Sequence, residues 1–522
     1  MAVIFIRYPS RACLKNHSHN LYASLCGIFC PNSVVVARTT TPSSKQNLPQ
    51  IVMHILQKAF FKHALVKQKS TFYMEEKMNQ KIQLSDHFGY RRLIRFTIPS
   101  ILMMIFTSIY GVVDGFFVSN FVGKTPFAAV NFIMPFLMVT GALGFMFGTG
   151  GSAYIAKIMG EGKKEKAQKV FSLLVTATII SGVMIAVISM IFLRQIAIFL
   201  GAEGQMLEDC VLYGRILLIA LPFLMLQYAF ASLAVTAEKP KLGLIVTVTA
   251  GLLNMTGDAL FMAVFKWGVS GAALASALGQ IVGGIIPLIY FSRKNASLLR
   301  LCRPEWDGRA LVRICTNGSS ELMSNISMSI VGMLYNTQLM KYAGEDGVAA
   351  YGTIMYVNFI FLAIFVGYAT GVAPVISYHY GAGNTKELNG LLKKSVSLVL
   401  SASVVMFIAA RFLARPLATI YVGYDAALLK MTVHAFSIYS ISFIFAGMAI
   451  FSSAFFTALN DGLTSAVISF LRTLLFESAS VMLLPLLLGM NGIWYSIVVA
   501  EFMAVVVAMI FLVAKRKRYR YW

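Results

Sequence analysis

From about residue 92 to its end, the chain alternates long apolar runs with short polar stretches. Each run reaches about 20 residues, the length a helix needs to cross a hydrocarbon core of about 30 Å. They fall near 93–118, 126–156, 170–193, 210–236, 242–265, 269–291, 317–340, 348–377, 391–413, 431–458, 463–487 and 491–514. The pattern predicts about twelve transmembrane helices, an all-α polytopic membrane protein. Prolines in or beside these runs (Pro99, Pro135, Pro222, Pro287, Pro374, Pro485) and forty glycines suit membrane helices that bend and pack closely.

Composition agrees. Of 522 residues, 58% are hydrophobic and 12% charged, against roughly 25% charged in soluble domains; mean hydropathy is +0.74. The first 73 residues differ: they hold nine Lys or Arg, no acid and three of the six cysteines. We expect residues 1–89 to be a basic N-terminal extension, either disordered or an over-extended start with translation beginning at Met74 or Met78. Its cysteines are too scattered for a disulfide framework or a metal site.

Basic residues mark alternate loops. Lys163, Lys164, Lys166 and Lys169 lie between the second and third runs, Lys239 and Lys241 between the fourth and fifth, and six arginines or lysines from Arg293 to Arg313 between the sixth and seventh. Lys386, Lys393 and Lys394 follow the eighth, and the chain ends KRKRYRYW. The positive-inside rule then puts both termini in the cytoplasm. Topology accounts for the formal charge of +23, so nucleic-acid binding is not needed to explain it.

Sliding the chain against itself exposes a repeat. At an offset of 221 residues Gly123 meets Gly344, Ala128 meets Ala349, Ile133 meets Ile354, Met134 meets Met355 and Gly150 meets Gly371. Gly160, Gly162, Gly268 and Gly271 likewise fall on Gly381, Gly383, Gly489 and Gly492. The prediction is two six-helix bundles: a first lobe at 90–291, a basic cytoplasmic linker at 292–313, a second lobe at 314–514 and a basic tail at 515–522. Six crossings return the chain to its starting side, so this is a parallel repeat.

Three polar residues in the first lobe have no counterpart at this offset. Asp114 would fall on Tyr335, Asn254 on Leu475 and Asp258 on Ala479. Asn254 and Asp258 share a helix face, one turn apart. At about 1.5 Å per residue, Asp114 and Asp258 both lie roughly 25 to 30 Å from the cytoplasmic ends of their helices. Two acids at the same depth in low dielectric cannot both stay charged cheaply, so one carries a proton or the pair holds a cation. Asn254 would complete that site. Intramembrane carboxylates are functional by default.

These residues sit in recognisable text. VVDGFFVSNFVG at 112–123, and LLNMTGDALF followed by GVSGAALASALGQ, resemble signatures of the multidrug and toxic compound extrusion (MATE) transporters, and the resemblance runs from about residue 90 to 514. It implies two six-helix bundles around a cleft and export of amphipathic, often cationic compounds in exchange for H⁺ or Na⁺. It implies no other cofactor, no enzymatic activity, and a monomer with both termini cytoplasmic, in a bacterial inner membrane. In the DinF-like branch the corresponding Asp, Asn and Asp form the coupling site, here Asp114, Asn254 and Asp258, which could also hold Na⁺. The NorM-like branch relies on an acid in the tenth helix; AFSIYSISFIFAGMAIFSSAFF has none, which favours a first-lobe site.

Glu321 is a second candidate acid. Tyr110, Gln280, Met134 and Phe145 are candidates to line the substrate cavity, through aromatic faces, an amide and an adaptable thioether. Arg472, Glu477 and Glu501 read as a structural charge cluster, since a buried Arg must be paired. A lipid-linked-sugar flippase of related architecture is the alternative, although its cavity would carry several Arg or Lys for a pyrophosphate. A membrane-embedded enzyme would need a motif such as HExxH or GxSxG, and neither occurs in a helix.

Overall fold

The computed structural model describes residues 82–122 and 124–522. Within Ile82–Trp522, which forms one compact unit, the apolar runs become the helices α1 (Tyr90–Phe121), α2 (Lys124–Gly160), α3 (Lys164–Leu200), α4 (Gly204–Thr236), α5 (Pro240–Val264) and α6 (Gly268–Ser292). Gly308–Gly381 follows as two helices meeting at a kink, where Gly344 has φ 60° and ψ −149°; its halves are α7 and α8. The remainder is α9 (Thr385–Val422), α10 (Ala426–Ala458), α11 (Gly462–Leu488) and α12 (Met490–Tyr519). Twelve crossings result, in the predicted places.

The two-lobe repeat is visible in the backbone. Gly162 (φ 80°) and Gly383 (φ 67°) open α3 and α9, and Gly268 (φ 60°) and Gly489 (φ 58°) stand at the starts of α6 and α12. Each pair is separated by the sequence offset, so the same left-handed turns recur in both lobes. The lobes meet where α2 runs beside α7 and α8, and α1 beside α8. At Gly160 an added Cβ would collide with the Tyr378 carbonyl, and at its counterpart Gly381 with that of Lys157. Backbones come this close only where both helices lack side chains, which is how membrane helices gain van der Waals contact without a hydrophobic driving force.

Two helices widen into π-type turns: α5 at Ala259–Val264 and its repeat partner α11 at Phe470–Phe476. Such turns insert one residue and re-aim the side chains around them, and they concentrate at functional positions. Asp258 immediately precedes the first, while Arg472 lies within the second and Glu477 just after it.

The basic loops gather at one end of the bundle. Lys169 pairs with Glu305 at 2.7 Å, Gln168 donates to the Leu298 carbonyl, Ser297 to the Ala237 carbonyl, and Asn460 to the Ala153 carbonyl. Asp461, in the loop before α11, accepts from Thr464 and from the Tyr519 hydroxyl at 2.8 Å each, and Lys515 stands 3.3 Å away. Burial pushes its carboxyl up, but these hydrogen bonds and the lysine charge outweigh that and hold it below the usual carboxylate range.

The expected boundaries shift at both ends. Residues 82–89, assigned above to the extension, are packed: Leu84 and Phe88 are fully buried, and the Phe88 amide donates to Glu387 at 2.9 Å. A hydrophobic residue every fourth position lets this short segment anchor beneath α9. The rest of the extension, with Met74 and Met78, lies outside the described residues. At the other end Lys515 to Tyr519 continue α12, and Tyr521 folds back fully buried, its hydroxyl donating to the Leu512 carbonyl. The linker also ends early, α7 beginning at Gly308, because Asp307 caps that helix by accepting from the Ala310 amide at 3.0 Å.

Candidate functional site

Three helices of the first lobe bring the singled-out polar residues together. Asp114 projects from α1, Asn254 and Asp258 from α5, and Ser276 from α6. The Asn254 amide donates to the Ser276 hydroxyl at 3.2 Å, which in turn donates to Asp114 Oδ1 at 3.4 Å. Asp258 is fully buried with Asp114 as its charged neighbour. Both Asp258 oxygens and Asn254 Oδ1 lack a hydrogen-bond partner among the described residues.

That inventory is acceptor-rich. Buried polar atoms are almost always satisfied, and each one left over needs an explanation. Three unsatisfied oxygens beside a second carboxylate call for positive charge: a proton shared by the acids, or a small cation held by oxygens alone. The depth argument from sequence placed the two aspartates at one height; α1 packs against α5, with Asp114 beside Asp258.

Tyr110, one turn before Asp114, faces Asp114 and Tyr228. Gln280, one turn beyond Ser276, is half-buried with its side-chain oxygen unsatisfied. Tyr110 thus stands beside the acids, and neither it nor Gln280 is among the residues that line the cleft between the lobes. Tyr213 of α4 also reaches the group: it is fully buried, its hydroxyl lacks a partner among the described residues, and it faces Asp114, Asp258 and Ser276.

Sequence reasoning missed Ser276 and Tyr213. Ser276 stands among alanines and glycines that read as a packing surface, and its spacing of four from Gln280 was the available clue. Tyr213 is one of 22 tyrosines and carries no signal of its own.

A cleft of about 330 Å³ opens elsewhere, between the lobes and mostly against the second. First-lobe residues Met104, Phe145, Thr149, Ser152 and Ser232 line it, facing Glu321, Asn325, Met328, Tyr351, Met355, Asn358, Tyr439, Arg472, Glu477 and Glu501. Phe145 lines it, stacked on Tyr228 with ring centroids 3.9 Å apart. Met134 does not: eleven residues back along α2, three turns away, it packs against the apolar core. Glu321 lines the cleft. Arg472 is paired, as a buried Arg must be, its Nε and Nη2 donating to Glu501 at 2.7 to 3.0 Å. This cluster, however, also forms part of the cleft wall.

Comparison with known proteins follows the same division. A family model described as MatE matches residues 99–260 and again 322–479, one match in each lobe. A model for a family of unknown function matches residues 14–41, outside the described residues. Among curated proteins the chain is similar to the multidrug export protein MepA of Staphylococcus saprophyticus, 25% identical over 442 residues, and to that of Staphylococcus haemolyticus, 26% identical over 436. Each alignment covers 82% of this chain and 94% of the relative.

Among solved structures it shares its fold with a multidrug resistance MATE family transporter of the MOP superfamily in the outward-facing conformation. The TM-score is 0.80, with 21% identity over 85% of this chain and 100% of that one. A MOP superfamily transporter from Pyrococcus furiosus gives a TM-score of 0.78, with 22% identity over 85% of this chain and 99% of that one. With the family model matched once in each lobe, over more than half of the chain, the chain belongs to the MATE family of multi-pass membrane transporters.

Proposed function

We propose that this protein is a secondary active exporter of amphipathic, often cationic compounds, driven by H⁺ or Na⁺ moving inward through Asp114, Asn254 and Asp258. The observation that carries the reading is the buried meeting of two carboxylates from α1 and α5, with three unsatisfied oxygens, away from the residues that line the cleft. Cation and cargo then occupy different places and compete through conformation. A ligand shifts an equilibrium only by its differential affinity for the two states.

In the cycle we envisage, a cation neutralises the Asp114 and Asp258 pair. α1 then bends near Pro99, whose ring removes a backbone donor, or near Gly111 and Gly115, where an added Cβ would meet nothing within 4 Å. Cargo leaves outward, and loss of the cation to the cytoplasm resets the site. MepA, the relative named above, is a multidrug export protein, which supports a small-molecule cargo here. The basic loop end would face the cytoplasm, with both termini on that side, in a bacterial inner membrane; the protein would act as a monomer. Glu321 would serve as a second acid on the cleft wall.

The flippase alternative asks the cleft to hold a pyrophosphate. Among its lining residues one cation occurs, Arg472, and Glu501 already holds it. The test is ethidium efflux from preloaded cells, wild type against Asp258→Asn at equal expression, with a proton ionophore or without sodium. Efflux in wild type and none in the variant supports the coupling role, and the condition that stops wild-type efflux identifies the ion. Equal efflux in both removes Asp258 from the mechanism.

A further inference from the structure

The internal repeat points to a second polar site. At the offset of 221, Tyr335 of α7 occupies the place of Asp114, and Glu501 of α12 that of Gln280. Glu477 of α11 lies two residues before the place of Asp258. No register of the sequence aligns all three at once. In space they gather nonetheless. Tyr335 faces both Glu477 and Glu501, is 1% exposed, and its hydroxyl lacks a partner among the described residues.

Unlike the first-lobe group, this one borders the cleft, and its acids outnumber its bases. Three carboxylates, Glu321, Glu477 and Glu501, stand against the single guanidinium of Arg472. Glu501 accepts three hydrogen bonds from that guanidinium, which is also the charged neighbour of Glu477 and Glu321. Glu477 makes no hydrogen bond or ion pair among the described residues. Beside it Tyr335 stacks on Tyr351 with centroids 4.7 Å apart and planes 14° from parallel, and Tyr351 and Tyr439 both line the cleft. Met328 and Met355 add thioethers to the same space. A carboxyl group without a hydrogen-bond partner, next to aromatic rings and soft apolar side chains, is the chemistry that receives a flat organic cation.

We propose that Glu477 is the anion that holds the positive charge of the cargo, with Tyr351 and Tyr439 beside it and the Arg472–Glu501 pair fixing its surroundings. This assignment rests on the exporter reading above and adds to it a division of labour: the first lobe binds the driving cation and the second lobe the transported one. The cargo class is a monovalent amphipathic organic cation. Glu501 is excluded as the receptor because its oxygens are already engaged, and Glu321 is left as a neighbour that can take a second charge.

The experiment is a fluorescence titration of ethidium onto the full chain, purified in detergent, for wild type, Glu477→Gln and Glu477→Asp, with a melting curve for each. We expect ethidium to bind wild type, to bind Glu477→Gln about tenfold more weakly, and to bind the charge-retaining Glu477→Asp within about threefold of wild type. Wild-type affinity in Glu477→Gln overturns the assignment while leaving the exporter reading intact. Absence of ethidium binding to wild type overturns both. Equal loss in both variants, with lowered melting temperatures, shows that Glu477 supports the fold and overturns the assignment.

Discussion

Replacing Arg472 with methionine removes the charge but keeps much of the apolar length of the side chain, so the expected damage is electrostatic. Glu501 is 4% exposed and takes its hydrogen bonds from Arg472. Deleting one partner of a buried pair leaves an uncompensated charge, at a cost of about 3–5 kcal/mol. The cost has a ceiling, since a stranded carboxylate can take up a proton. At pH 7 that costs about 3.7 kcal/mol for an ordinary glutamate, falling to about 1 kcal/mol at pH 5.

Unfolding entropies of about 2 cal/mol/K per residue, applied to the roughly 440 residues of the unit Ile82–Trp522, convert 3–4 kcal/mol into a melting shift of about 4 °C. Membrane proteins keep much of their helix on unfolding, which lowers that entropy and makes the shift larger. The assay is thermal melting of the purified protein at pH 7 and pH 5. We expect Arg472→Met to melt at least about 4 °C below wild type at pH 7, with the gap narrowing at pH 5. Arg472→Met combined with Glu501→Leu should recover most of the loss, because the carboxylate that Arg472 had hydrogen-bonded is then removed with it. A single variant that melts within about 1 °C of wild type at both pH values would refute the reasoning, and so would a double variant no better than the single.

Further outcomes follow from other parts of the fold. Gly344→Ala should destabilise by about 1–3 kcal/mol, because φ 60° with ψ −149° suits only glycine; an added Cβ there meets nothing within 4 Å, so a neutral melting result would mean that the kink has another cause. Gly381→Leu should abolish folded yield in a detergent size-exclusion profile, since the α2 backbone fills the space its side chain would need. Asp461 is held below the usual carboxylate range, so it adds stability above about pH 4, the value for a free aspartate, and loses it as the pH falls through its folded value. The melting gap between wild type and Asp461→Asn should be constant at neutral pH and close in strong acid, and a gap that widened on acidification would contradict this. Ser276→Ala should weaken cation-driven ethidium efflux without touching expression, because it cuts the link from Asn254 to Asp114; full efflux would exclude Ser276 from the site.

The number and placement of the helices were legible in the sequence because the bilayer imposes them. Each apolar run is long enough to span, and its backbone must bond to itself. The repeat was legible because close helix crossings and left-handed turns both demand glycine, and those demands recur 221 residues apart, as at Gly160 and Gly381 or Gly268 and Gly489. The two aspartates could be named because a carboxylate in an apolar run stands out by its cost, and their shared depth follows from counting residues along helices.

Tertiary structure alone decided what surrounds them. Ser276 and Tyr213 join Asp114 and Asp258 through helix rotation, which an all-apolar membrane helix does not record, since both lipid and protein interior accept the same side chains. Tyr110 went to the acids and Phe145 to the cleft for the same reason. The second-lobe site stayed hidden because Glu477 does not fall on Asp258 at the repeat offset, and only packing sets Tyr335 against it. Packing restores in space a correspondence that the residue count had lost.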